Sequence, residues 1–253
     1  VQTDYEGLGT KGEHPYLNGH SAANTVADIV RAARRISPRV GRDWIAMGHS
    51  QGGQAALFAA SADQDRRDLD LLGAVALAPG GVGIATIADY VQPGSPGIRD
   101  TLGFLPVVLI GAAAADPAVD PDALLTNEMR PLLTAARTGG LDDVRRAAAT
   151  VPTDRVLRPG ADLEPLETYL QRQDPVGLTP RVPVMIAQGT ADALVAKPGT
   201  DYLVGQLCTR TDALTYKIYP GADHRATVTD SLADTRRFVE ALRAGRKQDS
   251  DCR

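Results

Sequence analysis

The sequence predicts an α/β fold: a mostly parallel sheet with helices on both faces and an inserted helical cap. Apolar strand-like runs alternate with amphipathic helical runs at both ends of the chain. The strand-like runs are almost continuously apolar, which is typical of strands covered on both faces in a parallel sheet. Between residues 85 and 179 these runs stop, and prolines separate helical segments. We therefore predict an α/β core at residues 1–84 and 180–253 and a helical cap at residues 85–179.

The composition is that of a globular protein and argues against two classes of partner. The chain has 253 residues, of which 43% are hydrophobic and 23% charged, enough to bury a core. Its formal net charge of −4 argues against nucleic acid and against an anionic membrane surface as partners. The most apolar run, residues 102–115, is too short to cross a membrane.

The predicted elements follow from apolar spacing and from helix and turn signals along the chain. Ser21 is a candidate N-cap for the first helix, and Pro38 and Gly41 end it. The predicted strands are residues 1–5, 44–47, 71–78, 182–188 and 214–219. The predicted helices are residues 21–36, 54–60, 101–115, 121–138, 141–149, 163–173, 200–208 and a final helix carrying residues 228–242. Residues 62–70 are charged and predict a surface turn.

The run Gly48-His49-Ser50-Gln51-Gly52 has the form G-x-S-x-G and lies between a predicted strand and a predicted helix. That junction forces the residue at its tip into a strained backbone conformation, and glycine neighbours leave room for it. We predict that Ser50 is a nucleophile with an exposed hydroxyl at this tip. The alternative is a glycine-rich turn that contains a serine by chance.

A serine hydroxyl needs a base within hydrogen-bond reach to act as a nucleophile near neutral pH. The chain has 4 histidines. His49 adjoins Ser50, which turns its side chain away, and His14 and His20 precede the motif, against its usual order of Ser, Asp or Glu, then His. His224 follows a predicted strand, and we predict that it is the base.

The base in turn needs a carboxylate that holds its tautomer. Reactive groups gather where the carboxyl ends of parallel strands open. Asp192 follows the strand that precedes the strand of the predicted base, so it is our first choice, and Asp174 is the second. Asp223 adjoins the histidine and would have to fold back on it, whereas Asp201 and Asp212 are expected on solvated surfaces.

The chain has 2 cysteines, Cys208 and Cys252. A pair of free thiols and a disulfide that tethers the C-terminal tail both fit the sequence. A disulfide would imply an oxidising compartment. The spacing does not fit a zinc site, because other ligands are missing nearby.

Several segments together resemble the α/β-hydrolase fold and, more narrowly, the secretory lipase family of lipase A type, with its bacterial lipase and esterase relatives. The resemblance extends from residue 1 to residue 252, and the cap is its least diagnostic part. It rests on DYEGLG (4–9), HPYL (14–17), GHSQGG (48–53), GTAD (189–192) and YPGADH (219–224).

The resemblance implies a serine hydrolase that cleaves carboxylic esters, as a lipase or carboxylesterase does. It implies Ser50 as nucleophile, Asp192 as triad acid and His224 as base. No metal or organic cofactor is implied, and the expected partner is a small-molecule ester or lipid substrate. The resemblance also implies export, to the outside or to the cell envelope, and favours a bond between Cys208 and Cys252.

One departure from the family concerns the start of the chain. Val1 is not an initiator methionine, and no signal peptide follows it. In this fold the strand ending at Asp4 is the fourth, and its first three strands have no counterpart here. The loop after the third supplies one N–H of the oxyanion hole, and the other is expected from Gln51. We therefore expect a separate N-terminal segment of the same protein.

Two alternatives to an esterase stay open. A serine peptidase of the same fold would use the same triad, but it would more often show a charged or aromatic pocket. A non-catalytic binding protein commonly loses a triad member, whereas all three positions are filled here. The apolar run at residues 103–110 has two equally good interpretations: it contacts an acyl chain, or it packs on the sheet.

Overall fold

The structure, a computed structural model, describes residues 1–62 and 68–252. Its strands are β1 (Asp43–His49), β2 (Asp70–Leu77), β3 (Val184–Gly189) and β4 (Leu214–Tyr219). Its α-helices are α1 (Gly19–Ile36), α2 (Gln51–Ser61), α3 (Ile98–Leu102), α4 (Leu105–Ala115), α5 (Pro121–Leu124), α6 (Arg130–Thr138), α7 (Leu141–Thr150), α8 (Glu164–Gln171), α9 (Lys197–Leu207), α10 (Ala226–Asp230) and α11 (Leu232–Arg243). Short 3₁₀-helices span Ile84–Val91, Asn127–Met129 and Pro175–Gly177. The predicted turn at residues 62–70 falls largely on residues 63–67, which lie outside the described residues.

The described strands form one parallel sheet in the order β1-β2-β3-β4. His49 at the end of β1 lies opposite Leu77, and Leu77 lies opposite Ala187 of β3. Gly189 at the end of β3 lies opposite Tyr219 at the end of β4. The carboxyl ends of neighbouring strands therefore lie at similar levels, and the loops that follow them leave from one edge of the sheet.

Helices cover both faces of this sheet, as the continuous apolar strands predict. Neighbouring side chains of a strand point to opposite faces. In β3, Ile186 belongs to an apolar cluster that includes Leu203 of α9, whereas Met185 belongs to a second cluster with Phe238 of α11. Every residue of β3 is buried. The predicted α/β class is confirmed.

The chain divides into two compact units. The first contains the sheet and comprises Val1–Asp4, Gly19–Val82 and Asp174–Arg253. The second is helical, and its elements include α3 to α8. It has its own apolar core, and no helix among the described residues is both long and apolar enough to cross a membrane. The largest fully buried side chains of this core are those of Leu102, Leu105, Leu109, Leu125, Met129, Leu132, Leu166 and Leu170.

The bounds of the helical unit differ from those expected for the cap at residues 85–179. The unit comprises Tyr5–Asn18 and Gly83–Gln173, so the first of these segments leaves the α/β core to which the sequence assigned it. Leu17 is buried in the core of the helical unit. The backbone of Tyr16 also approaches α4 closely, since a Cβ at Gly111 would lie 2.4 Å from its nitrogen.

Four predicted elements differ from the structure. The predicted helix at residues 101–115 is divided between α3 and α4, and the predicted final helix is divided into α10 and α11. Residues 1–5 form no strand, because no ladder of backbone hydrogen bonds joins them to a strand of the described sheet. The predicted helix at residues 121–138 is broken into α5, a 3₁₀-helix and α6. The break occurs because Leu125 is extended and bridges to Leu157, a contact between segments far apart in sequence.

The predicted disulfide between Cys208 and Cys252 is present and links positions 44 residues apart. It fixes the C-terminal tail along β4. The N–H of Asp251 donates to the carbonyl of Leu214 (2.8 Å), and a carboxylate oxygen of Asp251 accepts from the N–H of Tyr216 (2.7 Å). The tail thus satisfies backbone groups of the last strand of the described sheet.

We predict that replacing both cysteines with serine lowers the free energy of unfolding by about 2–4 kcal/mol, because the unfolded chain gains loop entropy. The measurement is urea unfolding followed by circular dichroism. The oxidised and reduced wild-type chains serve as controls, and the reduced chain should match the double variant. Equal midpoints for oxidised wild type and double variant would contradict the prediction.

Candidate active site

Ser50 occupies the junction between β1 and α2 in a conformation that is rare for a residue with a side chain. Its φ is 58° and its ψ is −117°. Such a conformation stores about 1–3 kcal/mol and persists only where the surroundings fix it. Neighbouring glycines make it possible, since a Cβ at Gly48 would lie 2.2 Å from the carbonyl oxygen of Gly52. The junction predicted from the G-x-S-x-G motif is therefore present.

Backbone hydrogen bonds hold this junction against the end of β2. The N–H of Ser50 donates to the carbonyl of Leu77 (2.9 Å), and the carbonyl of Ser50 accepts from Gly80 N–H (2.9 Å). Gln51 is the first residue of α2. A helix N-terminus presents N–H donors and the positive end of the helix dipole, which suits a developing negative charge.

His224 lies in the loop after β4, and its ring is fixed by the carboxylate of Asp192. Its Nδ1 lies 2.7 Å from Oδ2 of Asp192. Because an ionised carboxylate only accepts hydrogen bonds, Nδ1 carries a proton, and in the neutral ring Nε2 therefore has the lone pair. The side chain of Asp192 is 0% exposed and that of His224 is 14% exposed. This tautomer is the one that a general base needs.

The buried carboxylate of Asp192 is well supplied with donors. Its Oδ1 accepts from the backbone N–H groups of Leu194 (2.9 Å) and Val195 (2.8 Å). Its Oδ2 also lies 3.4 Å from Nε2 of Gln188. A buried charge is tolerated only when such hydrogen bonds replace water. The loop after β3 is thus shaped to hold one carboxylate.

The side chain of Gln188 supports this loop, a role that the sequence analysis missed. Gln188 is fully buried, and its Nε2 donates to the carbonyl oxygens of Val195 (2.9 Å) and Gly189 (3.0 Å). Its Oε1 accepts from the hydroxyl of Thr200 (2.7 Å). The available signal was a polar residue in an otherwise apolar strand, directly before the GTAD segment.

The loops after β3 and β4 are joined directly by hydrogen bonds. The N–H of Ala191 donates to the carbonyl of Ala222 (3.0 Å), and the N–H of Gly221 donates to the hydroxyl of Thr190 (2.8 Å). The loops pass so close that a Cβ at Gly189 would lie 2.2 Å from the oxygen of Ala222. This packing determines where Asp192 and His224 meet.

The other acidic candidates are engaged elsewhere. Asp174 accepts from the N–H of Val176 (2.9 Å) at the start of a 3₁₀-helix. A carboxylate oxygen of Asp223 accepts hydrogen bonds from the backbone N–H groups of Arg225 and Ala226, where α10 begins. Asp201 bonds to Lys197 and Tyr216, and Asp212 is exposed. Among these candidates, Asp192 is the one hydrogen-bonded to His224 in the described structure.

The side chain of His49 lies beside His224, although its position next to Ser50 excluded it as the predicted base. Its ring lies 4.3 Å from that of His224, centroid to centroid, and its Nε2 donates to the backbone carbonyl of His224 (2.8 Å). Burial, and then the charge of His224, lower the pKa of His49. A neutral imidazole therefore lies beside the predicted base.

Comparison with known proteins identifies the family of the chain. The family described as secretory lipase has a sequence model that matches residues 1–247. The chain belongs to the secretory lipase family. Among curated proteins, none matches the chain in sequence.

Solved structures show that this family member has the α/β-hydrolase fold. Candida antarctica lipase A is 18% identical with a TM-score of 0.71, and 94% of this chain aligns with 57% of that protein. The closed state of the same lipase gives 19% identity and a TM-score of 0.73, with 94% and 57% covered. The rice cell wall degrading esterase LipA from Xanthomonas oryzae gives 16% identity and a TM-score of 0.64, with 90% and 66% covered. The chain therefore spans just over half the length of Candida antarctica lipase A.

The site of this secretory lipase family member is assembled in part. The structure brings His224 and Asp192 together and places Ser50 one residue after His49, which contacts His224. Among the hydrogen bonds of the described residues, none joins the Ser50 hydroxyl to His224. Catalytic hydrogen bonds are often long without substrate and tighten when it binds. The Ser50–His224 contact is therefore part of the functional proposal.

We predict that Gln188→Leu lowers the free energy of unfolding by about 1–3 kcal/mol, because buried partners of the amide lose their hydrogen bonds. Chemical denaturation measures this change. Gln171→Leu is the matched control, since Gln171 is exposed at the end of α8. Its effect should stay within about 0.5 kcal/mol. Equal effects of the two substitutions would show that the amide of Gln188 contributes nothing specific.

Proposed function

We propose that this chain carries the nucleophile, base and acid of a serine hydrolase that cleaves carboxylic esters. The observation that supports this most is the hydrogen bond between His224 Nδ1 and the buried Asp192 carboxylate. It leaves Nε2 as the free base atom, in a loop that contacts the residue before Ser50. Membership of the secretory lipase family supports the ester as the substrate class.

In the proposed first half-reaction, Nε2 of His224 removes the proton of the Ser50 hydroxyl as Oγ attacks the ester carbonyl carbon. Asp192 stabilises the imidazolium that results. The oxyanion accepts a hydrogen bond from the N–H of Gln51. When the tetrahedral intermediate collapses, the carbon–oxygen bond to the alcohol breaks, and the imidazolium protonates the leaving alcohol.

In the second half-reaction, water attacks the acyl group on Ser50. His224 takes a proton from the water, and a second tetrahedral intermediate forms. Its collapse returns the proton to Oγ of Ser50 and releases the carboxylic acid. The enzyme is regenerated without net change, and the balance is one ester and one water converted to one alcohol and one acid.

We propose that a part of the protein outside residues 1–253 supplies the second oxyanion donor. Loss of one such donor lowers the rate by about 10²–10³-fold, so ester cleavage is best assayed on the natural gene product.

We also propose export, to the outside or to the cell envelope. The support is the description of the family as secretory and the disulfide between Cys208 and Cys252, a bond that persists in oxidising compartments.

The proposal extends to esters as a class and not to a particular acyl chain length. The apolar run at residues 103–110, which suits an acyl chain, overlaps the N-terminal part of α4. Leu105, Val108 and Leu109 are each 1% exposed and lie in the core of the helical unit. Packing within that unit accounts for the burial of these side chains.

A series of p-nitrophenyl esters of increasing length, with peptide amides in parallel, separates lipase, esterase and peptidase activity.

We expect Ser50→Ala to lower ester cleavage by at least about 10⁴-fold, because the nucleophile is lost. Circular dichroism should show an unchanged fold. The wild type should be labelled at Ser50 by a fluorophosphonate, which mass spectrometry of the labelled peptide detects. Ser37→Ala, in the turn after α1, is the control and should keep the wild-type rate. Full activity of Ser50→Ala would exclude the proposed mechanism.

We expect Asp192→Asn to lower kcat by about 10⁴-fold, because an amide that donates to Nδ1 favours the wrong tautomer of His224. Asp174→Asn serves as the control. An asparagine there still accepts from the N–H of Val176, so its rate should stay near that of the wild type. Initial-rate kinetics on one p-nitrophenyl ester compare the two variants. Similar, small losses in both would place the acid elsewhere.

A further inference from the structure

We infer that His49 is a positioning residue for His224: its imidazole fixes the backbone of the loop that carries the base. This inference rests on the proposed function, since it concerns how Nε2 of His224 is aimed at Ser50. The Nε2–H of His49 donates to the backbone carbonyl of His224, and we assign His49 no proton transfer in the reaction. It acts through the backbone of its neighbour.

Hydrogen bonds from two different segments hold His224. His224 is held at two separate atoms, its side-chain Nδ1 by Asp192 (2.7 Å) and its backbone carbonyl by His49 Nε2 (2.8 Å). A carbonyl oxygen only accepts hydrogen bonds, so Nε2 of His49 must carry a proton. The bond to Asp192 fixes the tautomer and the ring of the base, but it does not hold the carbonyl of His224 relative to β1. The bond from His49 does.

The hydrogen bond from His49 connects the loop of His224 to the end of β1. The loop after β4 is already joined to the loop after β3, through Ala191 with Ala222 and Thr190 with Gly221. Those bonds position His224 relative to its acid. His49 is the last residue of β1 and precedes Ser50, so its bond joins the histidine loop to the segment that carries the nucleophile. A general base must be placed within hydrogen-bond reach of the proton that it removes.

Burial and the neighbouring charges favour the neutral imidazole of His49. The charged and titratable groups that act on His49 are His224, Asp192 and Arg225. Burial and the charge of His224 lower the pKa of His49, and Arg225 lowers it further, whereas Asp192 and the bond to the His224 carbonyl raise it. A neutral donor at this distance lets His224 gain a proton during the reaction without a second cation beside it. A lysine or arginine would donate equally well but would oppose that step.

The test compares substitutions that keep and remove the donor. His49→Gln places an amide N–H near the position of Nε2, His49→Phe keeps a ring without a donor, and His49→Leu is a second non-donor should the phenylalanine variant not fold. His20→Leu is the matched control, because His20 is exposed on α1 and its ring packs on Phe58.

The structural readout is the low-field proton resonance of His224 Nδ1–H, assigned with ¹⁵N-labelled histidine. It reports the bond to Asp192 and does not require activity. We expect wild type, His49→Gln and His20→Leu to share this resonance. We expect it to shift or broaden in His49→Phe and His49→Leu, because the carbonyl of His224 then loses its bond to the end of β1.

The kinetic readout is the hydrolysis of one p-nitrophenyl ester by the natural gene product. Removal of the donor should lower kcat by about 10–100-fold with little change in KM, since a displacement on the order of 1 Å has such an effect. His49→Gln should recover most of this loss. A His49→Phe or His49→Leu variant with wild-type kcat and resonance would overturn the inference. So would a glutamine variant as impaired as the phenylalanine variant, because shape would then matter and the donor would not.

The two proposals fail separately. If the wild type neither cleaves esters nor reacts with a fluorophosphonate, the proposed function is excluded. If the resonance is then still shifted or broadened in His49→Phe and restored in His49→Gln, His49 holds the loop of His224, but that loop does not position a base for ester cleavage. If the wild type is active and the resonance is the same in all variants, the role of His49 is excluded and the esterase proposal is unaffected.

Discussion

The arrangement of the site depends on one buried carboxylate. The side chain of Asp192 is fully removed from solvent, and an unpaired charge in that position would be destabilising by several kcal/mol. Two backbone N–H groups and the ring of His224 replace the lost water. These partners come from two loops that must meet at fixed distances. The loops after β3 and β4 therefore have little conformational freedom. The hydrogen bonds of the Gln188 side chain restrict the loop after β3 further.

The register of the sheet brings Ser50, the proposed nucleophile, to the same edge. His49 lies opposite Leu77, so β1 and β2 end at the same level. The carbonyl of Leu77 accepts a hydrogen bond from the N–H of Ser50. The positive φ of Ser50 is unfavourable by itself, and the hydrogen bonds to Leu77 and Gly80 offset part of that strain. The strained backbone of Ser50 and the burial of Asp192 thus both depend on the same parallel strands.

The sequence predicted those features whose signals are local. Ser50 lies in a short motif with a strand before it and a helix after it, and Asp192 and His224 each follow a predicted strand. Features that depend on distant contacts were missed. The break at Leu125 requires its bridge to Leu157, and the contact of His49 with the histidine loop spans 175 residues. Local patterns say which strand a residue follows, but not which side chain lies beside it.

The site divides into contacts that any residue could supply and contacts that need a particular side chain. The donors from Leu194 and Val195 are backbone N–H groups, so other side chains at these positions would leave them in place. The joining bond between Ala191 and Ala222 is also backbone to backbone. The imidazole of His49 is different, because a donor at that reach exists only for a few residue types. Specific chemistry is therefore concentrated in few side chains, while the backbone of the parallel sheet supplies most of the geometry.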